Sequence, residues 1–503
     1  MNPIHIDDYI RLLPELILTL FGIGVMILDP LIPAGQSRKS LGIFSLVGTL
    51  ASIAAAFYQL NHFGLAWFDM VRVDSFSVFF HVLIPAISAV CILASLEYLD
   101  QQGIKTGEYY GLILFGTVGM VLMSCAVELV LIFIALEISS ISTYILAGYR
   151  RRNAAGTEAS IKYFLLGSFA TAFFLYGVAL MFGATGSTTI TDIAAVLNQG
   201  LANPMGLVYA AVALMLIGLG FKVAFAPFHV WTPDVYEGSP APVVAFMSTG
   251  PKAAAFAVLL RVLFGANTSG WFWLLWISAV LSMTLGNLGA LVQDNVKRML
   301  AYSSIAHAGY VLVAFVAGGD TGLTAAIFYT AAYAAMNVGA FAVVSHIGSG
   351  GERYTSIEDY AGLSRRSPLL AFTLTIFMLS LIGIPLTGGF FAKYYVFNAA
   401  LKSNLIGLTI IGVLNSAVAA YYYLRLIVVM YMRESAVELP PEKTSPAMSL
   451  ALVLAAIATI YLGVIPSQIV DYASQGAKEV RTLPSPSSAP AAAVTRNVVH
   501  TGQ

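Results

Sequence analysis

Charged residues are scarce in this chain of 503 residues. Asp, Glu, Lys and Arg make up 10% of it and hydrophobic residues 58%, whereas an ordinary soluble protein is about 25% charged. This composition excludes an ordinary soluble domain and is typical of a polytopic membrane protein. The formal net charge is zero, so neither nucleic acid nor an acidic partner is expected, and the bilayer is the expected surroundings.

Cysteine is equally scarce. The two cysteines, Cys91 and Cys125, lie in apolar runs, without CxxC or Cys/His spacing. We therefore expect no disulfide framework, no metal site and no iron–sulfur cluster in this chain. The first residues, MNPIHIDDYIRLLPE, lack the basic stretch and cleavage site of a secretory signal, so we expect the first helix to be retained.

Long apolar runs dominate the rest of the chain. A spanning helix needs about 20 mostly apolar residues, and such runs predict an all-α protein with about 14 transmembrane helices. They lie near residues 9–28, 41–60, 76–96, 109–126, 129–149, 160–182, 207–227, 243–264, 271–292, 299–318, 322–346, 368–398, 405–431 and 447–467.

Basic residues alternate in number between successive loops. With the N-terminus outside, the short outside loops carry only Arg72 and Lys402, as the positive-inside rule requires. The inside loops carry Arg38, Lys39, Lys105, Arg150, Arg151, Arg152, Lys297, Arg298, Arg353, Arg365, Arg366, Arg433 and Lys443. Both termini are therefore expected outside, and the Pro/Ala/Ser-rich end is expected to be a disordered tail.

Two lysines stand out in the stretch from Gly218 to Lys252. Lys222 lies inside an apolar run and Lys252 early in the next, among prolines at 227, 233, 240, 242 and 251. A charge at membrane depth costs several kcal/mol unless it is paired or hydrated, so it is interpreted as functional. Burial disfavours the charged form of a lysine, and pairing with a carboxylate restores it. The structural alternative to a functional lysine is therefore a static ion pair that locks helices together.

Residue spacing indicates an internal repeat. The separation of Lys222 from Lys393 along the chain nearly equals that of Glu137 from His307, and each lysine adjoins a glycine- and proline-rich break. Five spans separate the matched helices, so the second copy would be inverted, a transporter signature. The predicted domains are helices one to three in 1–108, a first five-helix repeat in 109–265, an inverted second repeat in 266–432, a last helix in 433–469 and the tail in 470–503.

Three further residues carry both a functional and a structural interpretation. Glu137 is either a proton carrier paired with a buried lysine or a carboxylate bonded to Ser139 or Ser140. Lys393 is either the partner of Lys222 in the second repeat or a lysine that extends to the outside surface. His307 is either part of a hydrated relay or a satisfied polar residue.

Other charged residues are interpreted as architectural. Glu158 and Lys162 form an i, i+4 pair, and Arg261 is expected to reach the membrane interface. For the loop PFHVWTPDVYEGSPAP, spacing leaves open whether Asp234 and Glu237 cap helices or admit protons.

Three stretches resemble a known family: FAPFHVWTPDVYEGSPAPVVAFMSTGPKAA, VKRMLAYSSIAHAGY and GIPLTGGFFAKYYVF. They are similar to signature stretches of the antiporter-like subunits of respiratory complex I, and the DVYEG loop is similar to the N-subunit branch. The resemblance covers about residues 10–465. It departs at Leu386, where the family usually has a second proline.

The resemblance implies fourteen helices with two inverted five-helix repeats that contain discontinuous helices. It also implies that the family's glutamate in the fifth helix and lysines in the seventh, eighth and twelfth helices map to Glu137, Lys222, Lys252 and Lys393.

The function that it implies is proton translocation in the inner (plasma) membrane of a bacterium, coupled to quinone reduction in other subunits. NADH, FMN, iron–sulfur clusters and quinone would bind those subunits, and the partners would be the M subunit and small K-, J- and A-type subunits. A subunit of an Mrp-type cation/proton antiporter is the alternative.

Overall fold

The computed structural model describes residues 5–33, 35–150, 153–265, 271–347, 354–434 and 444–481. Helices account for most of them: α1 (Ile6–Arg11), α2 (Leu13–Leu28), α3 (Lys39–Tyr58), α4 (Ser75–Gln101), α5 (Glu108–Cys125), α6 (Leu129–Ala147), α7 (Ala154–Thr185), α8 (Ile190–Asn198), α9 (Met205–Val223), α10 (Thr232–Gly238), α11 (Ala241–Gly265), α12 (Phe272–Leu291), α13 (Val296–Ala317), α14 (Gly319–Ile347), α15 (Leu363–Arg366), α16 (Pro368–Ile382), α17 (Gly388–Lys402), α18 (Ile406–Met432), α19 (Pro446–Val464) and α20 (Ser467–Arg481). Short 3₁₀ helices span Asp29–Leu31, Gln59–Asn61 and Ile357–Tyr360.

Thirteen helices in the described ranges are long and apolar enough to cross a membrane. This finding confirms the prediction of a polytopic all-α membrane protein. The apolar run predicted at 368–398 is instead two helices, α16 and α17, which are separated by residues 383–387.

The break between α16 and α17 depends on two glycines. Gly383 has a φ of 94°, a left-handed conformation that favours glycine at the end of a helix. A Cβ on Gly389 would collide with the backbone carbonyl of Ser380, so this contact also requires glycine. Leu386 has a φ of 72°, which proline cannot adopt because its ring fixes φ near −65°. The local backbone therefore differs from one with the proline that the resemblance implies.

The proline-rich stretch after α9 is also irregular, as predicted. Helix α9 ends at Val223, and Ala224 follows in the left-handed conformation with a φ of 62°. The short helix α10 leads into α11, which continues through Pro251. The chain thus changes direction just after Lys222.

Burial differs strongly between the helices. The helices α11, α13 and α14 are almost wholly enclosed by protein, whereas less than half of α2, α7 and α18 is buried. Large apolar side chains such as Phe164, Phe169 and Phe173 cover the outside of α7. Lipid can solvate such a surface, and polar side chains of the central helices are shielded from it.

A small β-hairpin marks one end of the bundle, which we call the hairpin end. Strands β1 (Gly64–Ala66) and β2 (Val71–Val73) pair antiparallel, with Leu65 opposite Arg72. These strands could not be predicted from the sequence, because the alternation of apolar and polar residues in such short strands is too brief to detect.

The prediction of a disordered tail from residue 470 is wrong for residues 470–481, which the structure describes. Residues 467–481 form α20, whose buried face carries Ala473, Gly476, Ala477 and Val480 and packs against α4 and α14. This helix was missed because its apolar stripe consists mostly of alanine and glycine, which carry little hydrophobicity. The rest of the predicted tail, residues 482–503, lies outside the described residues.

Arg261 also differs from its prediction. It lies at the hairpin end of α11, is 3% exposed and forms two hydrogen bonds to the carboxylate of Asp74, of 2.8 and 3.2 Å. It therefore pairs inside the protein and does not extend to the interface.

Matching backbone bonds occur at the starts of α6 and α13. Each set joins the residues that flank a helix N-cap to a distant segment. In the first set Leu129 donates to Thr188 and Ile190 to Val127; in the second Val296 donates to Thr355 and Ile357 to Asp294. Every residue of the second set follows its counterpart in the first by the same distance along the chain.

Candidate functional site

Lys222 lies in the last turn of α9 and is 3% exposed. Among the described residues, its Nζ has no hydrogen-bond partner and lies over the rings of Tyr144 and Tyr163, 5.1 and 5.6 Å from their centroids. Cation–π contacts of this kind stabilise a desolvated ammonium by about 2 kcal/mol, much less than a close ion pair would. Lys222 is therefore held loosely by its surroundings.

Glu137 on α6 is the acidic group whose charge acts on Lys222. Its buried Oε1 has no hydrogen-bond partner among the described residues, and the two side chains do not form a close ion pair. A bond from Glu137 to Ser139 or Ser140 was the alternative expectation, but the hydroxyl of Ser140 donates to the carbonyl of Leu136. The carboxylate is thus available to a proton or to a closer lysine.

Aromatic rings hold the turn that follows Lys222. Trp231 stacks on Tyr163, with centroids 4.5 Å apart, and on Phe221, with centroids 5.0 Å apart. Its indole Nε1 donates to the carbonyl oxygen of Phe221 at 3.1 Å, which also accepts from the N–H of Ala224. The loop after α9 is thereby fixed beside Lys222.

Lys252 on α11 bonds to the neighbouring helix α13. Its Nζ donates to the hydroxyl oxygen of Ser304 at 2.5 Å and to the carbonyl oxygen of Ser304 at 3.2 Å. Tyr333 on α14 donates to the same hydroxyl at 2.7 Å. Ser304 therefore joins Lys252 to the central helix α14.

His307 lies one turn after Ser304 and is 3% exposed. Its Nδ1 lies 2.7 Å from the hydroxyl of Tyr329, and its Nε2 lies 3.3 Å from the hydroxyl of Tyr423, which also bonds to Ser303. An imidazole can donate from one nitrogen and accept at the other. His307 can therefore pass a proton between two hydroxyl groups.

Lys393, the last of the predicted lysines, lies on α17. Its Nζ donates to the carbonyl oxygens of Leu381 and Ile382 at 3.0 and 2.8 Å and to the hydroxyl of Ser416 at 2.8 Å. These carbonyls are the last of α16, where unpaired acceptors and the helix dipole favour a cation. The break in this helix thus creates the binding position for the lysine, which is buried and does not extend to the surface.

Of the five predicted residues, Lys222, Lys252, His307 and Lys393 are buried, whereas Glu137 is partly exposed. Lys252, Ser304, His307 and Tyr333 line one small cavity, and the charges of both Lys252 and Lys393 act on His307. No signal in the sequence indicates Tyr329, Tyr333, Tyr423 or Ser416, because single hydroxyls are common in apolar helices. A proton-carrying role for the five predicted residues stays a prediction.

The loop residues Asp234 and Glu237 form a charged cluster at the end opposite the hairpin. Asp234 pairs with Lys162 and Arg298, each at 2.8 Å, and Glu237 also pairs with Arg298 at 2.8 Å. The hydrogen bond from Lys162, and then that from Arg298, holds the pKa of Asp234 below its usual range. Asp234 is therefore an ionised link between helices, and the predicted pair of Glu158 and Lys162 is present at 2.7 Å.

The chain is similar to known membrane proteins over most of its length. Residues 126–419 match the model of the family described as "NADH:quinone oxidoreductase/Mrp antiporter, TM". NADH-quinone oxidoreductase subunit N 2 of Koribacter versatilis (strain Ellin345) is 64% identical over 481 residues, which cover 94% of this chain and 97% of the relative.

Solved structures show the same fold. A chain of respiratory complex I from Thermus thermophilus with bound aureothin is 36% identical, with a TM-score of 0.78 over 92% of this chain and all of the other. A chain of the Mrp complex from Dietzia sp. DQ12-45-1b has a TM-score of 0.84 over 96% of this chain and 99% of the other, but at 20% identity this likeness concerns the fold alone. The chain belongs to the family of antiporter-like membrane subunits of NADH-quinone oxidoreductase (complex I), in its subunit N branch.

Proposed function

We propose that this chain moves protons across the membrane through Glu137, Lys222, Lys252, His307 and Lys393, driven by quinone reduction in other subunits. The observation that carries the proposal is the series of hydrogen bonds from Lys252 through Ser304 and Tyr333 to the cavity of His307. Side chains that can gain and lose a proton are expensive to bury and are retained at membrane depth where they serve transport.

Proton uptake begins at the end opposite the hairpin in this proposal. A proton enters beside the Asp234 cluster and reaches Lys222, either through Glu137 or from Lys252. Charging Lys222 draws Glu137 towards it, because opposite charges at low dielectric attract strongly. The proton then passes by way of His307 to Lys393, which releases it at the hairpin end.

An inverted repeat is supported by the matching backbone bonds at the starts of α6 and α13. Val127, before α6, bonds to Met70 at the hairpin end, whereas Asn295, before α13, bonds to Glu237 at the opposite end. The same motif therefore occurs at both ends of the bundle, as two inverted copies require. Ser304 is as many residues from the N-cap of α13 as Glu137 is from the N-cap of α6, so we propose Ser304 as the equivalent of Glu137. Counting α16 and α17 as one discontinuous helix gives fourteen crossings.

The orientation and location follow from the distribution of basic residues. Arg298 and Lys162 lie at the end opposite the hairpin, so the positive-inside rule places that end in the cytoplasm and the hairpin end outside. The chain would lie in the inner membrane of a bacterium beside the M subunit and small K-, J- and A-type subunits. NADH, FMN, iron–sulfur clusters and quinone would bind other subunits.

Replacing Glu137 with glutamine tests the proposal. The amide fills the same space but cannot carry a proton, and the buried carboxylate oxygen has no hydrogen bond to lose. In inverted membrane vesicles driven by NADH, we expect proton uptake to fall about tenfold, as the loss of about 1.4 kcal/mol of stabilisation at the rate-limiting transfer would produce. The exposed Glu358, changed in the same way, is the matched control.

Two outcomes would contradict the proposal. Unchanged proton uptake in the Glu137→Gln vesicles would remove Glu137 from the path. Unchanged NADH-driven uptake together with lost sodium tolerance of the cells would favour a cation/proton antiporter, the second candidate, which the description of the matching family also names.

Removing the hydroxyl of Ser304 is expected to slow proton transfer without stopping it. In Ser304→Ala the ammonium of Lys252 keeps the carbonyl oxygen of Ser304 at 3.2 Å, but Tyr333 loses its acceptor. Loss of one hydrogen bond to a charged group costs about 1.5–3 kcal/mol. We expect a slower proton flux with normal assembly, measured in the same vesicles against Ser345→Ala, whose hydroxyl bonds only within its own helix in the described contacts.

A further inference from the structure

Three metal-ligating side chains meet away from the proton-relay residues. Glu15 from α2, His81 from α4 and Cys125 from the end of α5 place one ligand atom each within 4.8 Å of the others. All three side chains are buried, His81 and Cys125 completely. Since the residues lie on separate helices, no local spacing in the sequence reveals them.

Two ligand separations are close to those of a tetrahedral site. Cys125 Sγ lies 3.4 Å and His81 Nε2 lies 3.7 Å from Glu15 Oε1. Bonds of about 2.3 Å from zinc to sulfur and about 2.0–2.2 Å to nitrogen or oxygen, at tetrahedral angles, separate sulfur from oxygen by about 3.5–3.7 Å and nitrogen from oxygen by about 3.3–3.5 Å, so small side-chain shifts would complete the site. A hydrogen bond between the imidazole and the carboxylate would be shorter than the distance found here.

A second residue orients the histidine ring as metal sites require. His81 Nδ1 lies 2.8 Å from Gln59 Oε1, and the amide nitrogen of Gln59 donates to the carbonyl oxygen of Arg11 at 2.8 Å. Gln59 is thereby fixed as an acceptor, so Nδ1 carries the proton and Nε2 presents its lone pair. Metal-bound histidines are held in this way by a partner at the other ring nitrogen.

Two buried atoms in the cluster lack a partner. Neither His81 Nε2 nor Glu15 Oε2 has a hydrogen-bond partner among the described residues. Buried polar atoms are almost always satisfied, so each exception requires an explanation. A divalent cation gives His81 Nε2 a partner, and a water molecule bound to the cation can donate to Glu15 Oε2. With one carboxylate and one thiolate the cation forms a centre with no net charge, which burial favours.

We propose that Glu15, His81 and Cys125 bind one Zn²⁺, with a water molecule as the fourth ligand. A nitrogen, an oxygen and a sulfur ligand suit the borderline-soft zinc ion and disfavour Ca²⁺ or Mg²⁺, which take oxygen ligands. The ion joins α2, α4 and α5 beside the hairpin, where Cys125 packs with Ala66 and Val71. Its role is structural.

The test is metal binding by the full-length chain purified in detergent. After incubation with Zn²⁺ and desalting, we expect one zinc per chain by mass spectrometry, and Co²⁺ in its place should give the thiolate charge-transfer absorption of a tetrahedral site. Cys125→Ser is expected to abolish both signals, while Cys91→Ala, which removes the other buried cysteine, leaves them unchanged. Gln59→Leu should weaken affinity about 10–100-fold, as loss of an orienting partner does.

Glu15→Gln provides an independent variant if Cys125→Ser folds poorly, since it keeps the side-chain shape. It is expected to lose zinc while retaining the thermal stability of the metal-free wild type. Wild-type chain without bound zinc, a cobalt spectrum without the thiolate band, or equal zinc in wild type and Glu15→Gln would overturn the proposal.

Discussion

Replacing Lys222 with methionine is expected to reduce NADH-driven proton uptake at least as strongly as Glu137→Gln, about tenfold or more, while the protein assembles normally. This combination separates a lysine that carries protons from one that holds helices together. A structural lysine would lose stability and activity together. From the structure we expect the Lys222→Met variant to lose proton uptake and to keep its stability.

The surroundings of Lys222 account for the expected normal assembly. Its Nζ gives up no hydrogen bond in the described structure, so the substitution leaves no backbone or side-chain acceptor unsatisfied. Methionine has nearly the same length, and its sulfur packs favourably against the rings of Tyr144 and Tyr163. Removing a buried charge without a close partner also removes a desolvation penalty, so the midpoint temperature of unfolding should stay the same or rise.

Lys393 provides a comparison within the same protein. Lys393→Met leaves the carbonyl oxygens of Leu381 and Ile382 without the donor that the structure provides, so it should lower both stability and proton uptake. Lys402→Met, on the exposed end of α17, should change neither. Normal proton uptake by Lys222→Met in assembled complex would contradict the proposed relay.

Measurement requires the purified complex and vesicles from the same strain. The amount of assembled complex and its unfolding midpoint report on structure, and proton uptake at matched NADH oxidation reports on transport. If electron transfer falls together with proton uptake, the two are coupled and Lys222 lies on the coupled path. If electron transfer continues alone, Lys222 serves transport without controlling the redox reaction.

The functional importance of the central lysines could be predicted from the sequence, because a lysine inside an apolar run is costly to bury and is rarely retained without a function. Lys222, Lys252 and Lys393 each interrupt an apolar run, and glycine or proline nearby indicates irregular backbone. The structure confirms that all three are buried. It also shows that their surroundings differ: Lys222 contacts rings, whereas the other two donate hydrogen bonds.

The partners of these lysines could not be predicted, because they depend on which helix faces meet. Ser304 and Tyr333 lie on different helices, and hydroxyls in apolar helices commonly bond to their own backbone, as Ser345 does. The spacing between Glu137 and His307 pointed to equivalent positions. Ser304, one helical turn before His307, lies as far from the N-cap of α13 as Glu137 lies from that of α6, and the equivalence of Glu137 and His307 stays a prediction.

Replacing Asp74 with asparagine is expected to destabilise the protein by about 3–5 kcal/mol, the range for breaking a buried ion pair on one side. The carboxylate of Asp74 receives two hydrogen bonds from Arg261 and lies 3.1 Å from Arg72 Nε. Asparagine still caps helix α4, so the change removes mainly the charge. Arg261 then loses the carboxylate that it binds, while the charge of Glu479 still acts on Arg72.

The dependence of stability on pH below neutral provides a second measurement for Asp74→Asn. Burial acts to raise the pKa of Asp74, but the charge of Arg261, and then that of Arg72, outweighs burial and holds the pKa below its ordinary value. An acid whose pKa is lowered by folding contributes its full stabilisation above the unfolded value of about 4. That contribution is lost as pH falls through the folded pKa. Wild type should therefore lose stability on acidification more steeply than Asp74→Asn.

The matched control is Asp320→Asn. Asp320 pairs with Arg481 at 2.7 Å at the same end of the bundle, but both side chains are about half exposed, so its loss should cost at most about 1 kcal/mol. If Asp74→Asn proves as mild as this control, the pair between Asp74 and Arg261 is solvated and does not fix the end of α11. If the difference is several kcal/mol, the pair fixes α11 to α4, and Lys252 on α11 keeps its distance to Ser304 because the end of its helix is held.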